Sequence, residues 1–113
     1  MNYLGSSAGR LGFAVAAFVG VSVAMAATPY ERQMAGLGGL PAEVRNFIGR
    51  RANCYHWFGE DGYDEPRKAQ IQSALNELRC ADLEREEAAL KRRYAKNPAV
   101  LNGLETSKGW SPG

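Results

Sequence analysis

Residues 54–66 read CYHWFGEDGYDEP, and this stretch decides the fold because it holds a helix end, an acidic turn and a helix start. Gly59 is of the residue type that commonly ends a helix, and Pro66 is of the type that commonly begins one. The two cysteines of the chain, Cys54 and Cys80, flank this turn on either side. The sequence therefore predicts a helical hairpin closed by a Cys54–Cys80 disulfide.

Residues 1–26 have the pattern of a cleaved export signal. A single basic residue, Arg10, precedes an apolar run over residues 11–23, and an AMA pattern of small recognition residues follows at 24–26. An uncleaved anchor is the alternative, but the run is shorter than the roughly 20 apolar residues that a membrane-spanning helix needs. We expect cleavage after Ala26, and contact with a membrane only through this signal peptide.

After the predicted signal, the remaining chain is nearly neutral, and it is predicted to consist of an arm, a folded domain and a tail. Removing residues 1–26 from the 113 would leave 87, with 13 basic against 12 acidic side chains, which argues against a nucleic-acid partner. Residues 27–40 are predicted as a flexible N-terminal arm, residues 41–106 as the folded domain and residues 107–113 as a disordered tail. A core of about 65 residues supplies only a few kcal/mol, so a disulfide would matter in an exported chain.

Apolar residues at three- and four-residue spacing predict the first helix, from Pro41 to the residue before Gly59. Its apolar face is formed by Val44, Phe47, Ile48, Ala52, Tyr55 and Phe58. We expect Arg45, Arg50 and Arg51 to lie off this face or to reach solvent from its edge.

A second helix is predicted to run unbroken from Pro66 to about Lys96, and Asn97-Pro98 then restart the chain as a short third helix. Cys80 would lie roughly 21 Å along the second helix, whereas Cys54 lies about 7 Å before the end of the first. We therefore expect residues 59–65 to lie back along the second helix, with Tyr63 packed inward. No strand pattern occurs, so the fold class is all-α.

Cys54, His56 and Cys80 leave three chemical alternatives open. They could form part of a zinc site completed by Glu60 or Asp61, although the spacing differs from the common zinc patterns. Cys54 and His56 could form a nucleophile pair, but residues two apart on a helix do not face each other. A structural disulfide is the simplest of the three, and we expect no metal, no cofactor and no catalytic residue.

The residues that we expect to contact a partner are His56, Trp57, Glu60 and Tyr63, where aromatic rings, an imidazole and carboxylates converge. His56 next to the acidic turn could also act as a pH-responsive group. The turn resembles a calcium-binding loop only loosely, because it lacks the regular alternation of oxygen ligands. We expect the third helix and the turn to cover the neighbouring aromatic rings; otherwise they would form an exposed patch that marks a partner site.

A compound pattern resembles a family of small exported proteobacterial proteins that have no assigned activity. It reads Phe47-Ile48-x-Arg50-Arg51-x-x-Cys54-x-His56-Trp57-x-Gly59-Glu60, then Cys80, then Arg93-Tyr94-x-x-Asn97-Pro98-x-Val100. The resemblance covers about residues 45–105. It implies a helical, disulfide-bonded periplasmic protein and nothing catalytic. A looser likeness is to small helical domains of lysozyme-inhibitor type.

These observations predict a non-enzymatic exported protein that binds a protein or an envelope component, or that has a structural role in the envelope. An inhibitor of a cell-wall hydrolase, which would present the acidic turn to a basic cleft, is the first alternative. A metal-binding or redox-active thiol protein is the second. The sequence leaves the partner and the oligomeric state open.

Overall fold

The computed structural model describes residues 25–113, together with residues 12, 14, 16–17 and 19–20. Most of the predicted signal peptide lies outside the described residues. The described part contains five α-helices and a short 3₁₀ turn, Cys80–Asp82, and it contains no strand, so the all-α prediction is confirmed. The helices are α1 (Pro29–Ala35), α2 (Ala42–Phe58), α3 (Glu65–Glu77), α4 (Leu83–Arg93) and α5 (Pro98–Thr106). None of them is long and apolar enough to cross a membrane.

Helix α2 is the centre of the structure, and it follows the predicted bounds closely. Its apolar face packs against α4 and α5, because each of these amphipathic helices has one stripe that must be removed from water. The buried apolar side chains come from α2, α4, α5 and two connecting segments: Leu37, Val44, Phe47, Ile48, Ala52, Cys54, Cys80, Leu83, Leu90, Val100 and Leu104. The predicted first helix and the predicted short third helix, α5, are both present.

The unbroken second helix that we predicted is wrong, because the chain leaves the α-helical path after Glu77. Arg79 has a left-handed backbone with φ 54°, and the 3₁₀ turn that follows carries Cys80 into the core. This break resolves the register mismatch between the two cysteines. Residues 59–65 therefore need not hold Tyr63 inward, and Tyr63 is 74% exposed, contrary to our expectation.

The strained backbone at Arg79 gives the first testable prediction. A non-glycine residue in the left-handed region costs about 1–2 kcal/mol, a cost that glycine avoids. Arg79→Gly is therefore expected to raise the free energy of unfolding by about 1 kcal/mol in chemical denaturation. The matched control is Asn76→Gly inside α3, which should lower it by up to about 1 kcal/mol. If both substitutions lowered the free energy of unfolding, the account of a strained backbone at Arg79 would be contradicted.

The segment predicted as a flexible N-terminal arm contains helix α1. Thr28 begins it with a capping box, in which the Thr28 hydroxyl accepts a hydrogen bond from the Glu31 backbone N–H at 3.1 Å. Leu37, which follows the helix, is buried in the core. The glycines at 36, 38 and 39 indicated a flexible arm, and the capping pattern at Thr28 was not identified from the sequence.

The predicted disordered tail begins inside the folded part. Ser107 is only 1% exposed, and its hydroxyl donates a hydrogen bond to the Gly103 carbonyl in α5. Trp110 packs against the core from outside. The folded part of the chain therefore extends beyond residue 106.

Candidate functional site

The disulfide joins the last turn of α2 to the 3₁₀ turn before α4. Cys54 and Cys80 form this bond with their Cα atoms 5.7 Å apart, and this confirms the predicted pairing. Cys54 has no exposed surface and Cys80 is 8% exposed. The bond fixes the position of α3, which itself has no fully buried residue.

A carboxylate in the turn connects the two arms of the hairpin. One oxygen of Glu60, Oε1, lies 3.2 Å from Nε2 of His56 near the end of α2. The other oxygen, Oε2, accepts a hydrogen bond of 2.8 Å from Nη2 of Arg67 in the first turn of α3. Glu60 therefore holds the end of α2 against the beginning of α3.

Aromatic stacking completes the same group of side chains. The guanidinium carbon of Arg67 lies 5.4 Å from the centre of the Trp57 ring, within the range of a cation–π interaction. The His56 and Trp57 rings meet edge to face with their centres 5.7 Å apart. We call His56, Trp57, Glu60 and Arg67 the hairpin cluster. All four side chains are partly exposed.

The structure brings together three of the four predicted contact residues, and it adds one that the sequence did not indicate. His56, Trp57 and Glu60 belong to the hairpin cluster, whereas Tyr63 lies exposed in the turn. Arg67 was missed. A cation in the first turn of a helix is disfavoured by the helix dipole, so its position there was a signal that it pairs with a nearby carboxylate.

The predicted covering of the aromatic residues is only partly correct. Trp57 is half-buried, but Phe58 is 56% exposed and Tyr55 is 36% exposed. The rings of Tyr55 and Phe58 lie 6.5 Å apart at the end of α2. An exposed aromatic surface is therefore present beside the hairpin cluster.

The acidic turn is largely occupied by internal contacts. Asp64 caps α3 by accepting a hydrogen bond of 2.8 Å from the Arg67 backbone N–H, and Glu65 pairs with Lys68 at 3.2 Å. Glu60 already contacts His56 and Arg67. Within residues 25–113, Asp61 is the carboxylate of this turn that forms neither a salt bridge nor a side-chain hydrogen bond, since Asp64 accepts the capping bond. The described residues include no group of three or more His, Cys, Asp or Glu side chains that could hold a metal ion.

The second half of the family-like pattern, residues 93–100, lies where the end of α4 meets the beginning of α2 and where α5 begins. Arg93 and Tyr94, at the end of α4, both donate hydrogen bonds to the Glu43 carboxylate at the beginning of α2. Asn97 caps α5 by accepting a hydrogen bond of 3.2 Å from the Val100 backbone N–H. These residues therefore hold helices together and lie away from the hairpin cluster.

The bond between Tyr94 and Glu43 gives a prediction about pH. This hydrogen bond, aided by partial desolvation, raises the pKa of Tyr94 above the ordinary value of 10.0. Because the pKa is raised, the stabilisation from this bond is present below pH 10 and is lost as the pH rises through the folded-state pKa. We expect Glu43→Ala to return the pKa of Tyr94 toward 10.0 in an NMR titration of its ring. Glu43→Gln, which keeps an acceptor without the charge, should give an intermediate value; an unchanged pKa in Glu43→Ala would contradict this assignment.

Two adjacent arginines of α2 contact two adjacent glutamates of α4. Arg50 forms an ion pair with Glu86, and Nη1 of Arg51 donates a hydrogen bond of 3.1 Å to Glu87. Nη2 of Arg51 donates to the Leu104 carbonyl at 2.9 Å and to the Ser107 hydroxyl at 2.7 Å. Arg51 is 2% exposed, so the expectation that it reaches solvent is wrong.

The hairpin cluster thus presents an indole and a guanidinium on a partly exposed surface. Trp and Arg are among the residues that contribute most often to protein interfaces. One oxygen of its carboxylate accepts a hydrogen bond from Arg67, and the other lies 3.2 Å from the His56 ring nitrogen. No protein-family model matches the chain, and neither the curated proteins nor the solved structures include a significant match.

Proposed function

We propose that this protein is a non-enzymatic, exported binding module that contacts a protein or envelope partner through the hairpin cluster and Tyr63. The observation that carries the proposal is Trp57 stacked under Arg67 on a partly exposed surface. Glu60 holds the Arg67 side chain, and the Trp57 ring packs against Arg67 and His56, so little side-chain entropy remains to be lost when a partner binds. Such rigid aromatic and guanidinium groups are typical anchors of interfaces.

Export to an oxidising compartment is the second part of the proposal. A domain of this size with one disulfide is typical of exported proteins, and residues 1–26 have the signal pattern described above. The periplasm in particular rests on the resemblance to the small proteobacterial family. That family membership is likewise a proposal, supported by the resemblance of about residues 45–105 to its pattern.

The hydrolase-inhibitor alternative is less well supported. It requires free negative charge on the acidic turn; Asp61 and the exposed Glu65–Lys68 pair can supply some, but Asp64 caps α3 and Glu60 is bound by His56 and Arg67. A basic cleft would have to displace these internal partners. The thiol alternative requires an accessible sulfur, whereas Cys54 and Cys80 are paired with each other and both are buried.

Site-specific photo-crosslinking in cells that express the protein tests the binding surface. A photoreactive amino acid at Tyr63 should give a discrete crosslinked product, whereas the same amino acid at Arg92, on the exposed side of α4, should not. Arg67→Ala should reduce the product by at least about tenfold if the stacked pair is an interface anchor. Circular dichroism of that variant shows whether the fold is retained. Equal crosslinking from both positions, or an undiminished product in a folded Arg67→Ala variant, would overturn the proposal.

A further inference from the structure

The apolar face of α2 continues beyond the part of the molecule that covers it. Cys54 is fully buried, but Phe58, one helical turn further along the same face, is 56% exposed. Helix α3, which runs beside this end of α2, has no buried residue. This end of the hairpin therefore leaves a large apolar ring in water.

A groove of about 400 Å³ lies between Phe58 and the turn that follows α3. Its lining includes the apolar side chain of Leu75 and the disulfide at Cys80, together with the charged residues Arg79 and Asp82. Phe58 forms one edge of the groove, and more than half of its surface faces solvent. We call this surface, with its ring, its concavity and its two charges, the Phe58 groove.

The shape and the charge of the Phe58 groove are both self-complementary. In a two-fold symmetric contact, residue i of one copy meets residue j of the other and residue j meets residue i, so an exposed ring at the edge of a groove can enter the groove of a second copy. Arg79 and Asp82 supply one positive and one negative charge on the same surface. A strongly charged partner of either sign would leave one of these two groups facing a like charge, whereas a second copy matches both.

The two charges also remain accessible in the single chain. The Arg79 side chain is 60% exposed and lies 3.7 Å from its nearest carboxylate partner, Glu86. The Asp82 side chain is 34% exposed, and its partner Arg85 is 76% exposed. Exposed pairs of this kind contribute little energy, so exchanging them for contacts across an interface costs little.

We propose that the protein forms a two-fold symmetric dimer through the Phe58 groove. The Phe58 ring of each copy occupies the groove of the other, and Arg79 of each copy faces the partner's Asp82. The hairpin cluster is not part of this interface, so the proposal is independent of the partner-binding function. It assigns a role to the exposed end of α2.

Sedimentation of the purified protein over a range of concentrations tests the dimer. We expect a reversible monomer–dimer equilibrium, and Phe58→Ser should raise its dissociation constant by at least about tenfold. Tyr63→Ser is the matched control, because it removes another exposed aromatic ring outside the groove and should leave the constant unchanged. A protein that stays monomeric at millimolar concentration, or a dimer that Phe58→Ser does not weaken, overturns the proposal.

A charge exchange tests the two-fold arrangement itself. Arg79→Asp gives a copy with two carboxylates in the groove, and Asp82→Arg gives a copy with two cations, so each variant alone should be monomeric. Mixed in equal amounts, the two should form a heterodimer of near wild-type affinity. Both substitutions suit the backbone, because aspartate tolerates the left-handed region and the Asp82 side chain caps no helix. Failure of the mixture to associate, or dimers of either variant alone, would contradict the pairing.

Discussion

Arg51→Ala is expected to leave the protein largely unfolded at 37 °C. The substitution removes a buried guanidinium that donates to the Leu104 carbonyl, to the Ser107 hydroxyl and to Glu87, which keeps Lys91 as its other partner. Breaking a buried ion pair by removing one partner costs about 3–5 kcal/mol, and a single core of this size supplies only about that much. Thermal unfolding followed by circular dichroism measures the loss.

The matched control is the neighbouring substitution, Arg50→Ala. Arg50 also pairs with a glutamate of α4, but its side chain is 19% exposed and that of Glu86 is 27% exposed, so Arg50 is less deeply buried than Arg51. We expect the free energy of unfolding to fall by about 1 kcal/mol at most. This corresponds to a fall in melting temperature of about 4–8 °C. Equal losses from both substitutions would show that burial of Arg51 is not what stabilises the fold.

Removing the disulfide is expected to have an effect of similar size. Cys54 and Cys80 are 26 positions apart, and in the chain-entropy treatment a loop of this length stabilises the folded state by roughly 3.5 kcal/mol. The double substitution Cys54→Ser with Cys80→Ser should lower the free energy of unfolding by about this amount in denaturant titrations. Because α3 has no fully buried residue, we expect its helical signal to be lost first.

The reduced wild-type protein is the control for the double variant. Adding a thiol reductant should shift the denaturation midpoint of the wild type to that of the variant, and it should not shift the variant. A variant as stable as the oxidised protein would mean that non-covalent packing alone holds the hairpin.

The sequence predicted the elements whose cause is local. Helix α2 has a regular apolar period between Pro41 and Gly59, and α5 begins at the Asn97 cap, so both were predictable from short-range patterns. The Cys54–Cys80 pairing was predictable because the chain contains no other cysteine. These elements need no information from distant parts of the chain.

The break between α3 and α4 had no local signal. Arg79 adopts a left-handed backbone that glycine or asparagine usually provides, and no glycine or proline lies between Pro66 and Lys96. Long-range contacts account for the break, since the disulfide draws Cys80 to α2, and Glu86 and Glu87 pair with the arginines of α2. The unbroken helix in turn gave the wrong register, and hence the wrong position for Tyr63.

The candidate site was predictable in part for the same reason. His56 and Glu60 are four residues apart at the end of a predicted helix, so their contact follows from helical geometry. Arg67 joins them from the other side of the turn, and its side chain reaches Glu60 and Trp57 only when the hairpin is closed. Contacts of this kind depend on tertiary structure, which a single sequence does not contain.

The intact mass of the protein recovered from an exporting host tests the central claim most directly. That claim is an exported binding module whose hairpin is closed by the Cys54–Cys80 bond. We predict a chain that begins at Ala27, is lighter by the two hydrogen atoms that a disulfide removes, and takes up no alkylating reagent when denatured without reductant. An unprocessed chain with two alkylatable thiols would contradict the account, because Cys54, His56 and Cys80 would then be free for metal or redox chemistry.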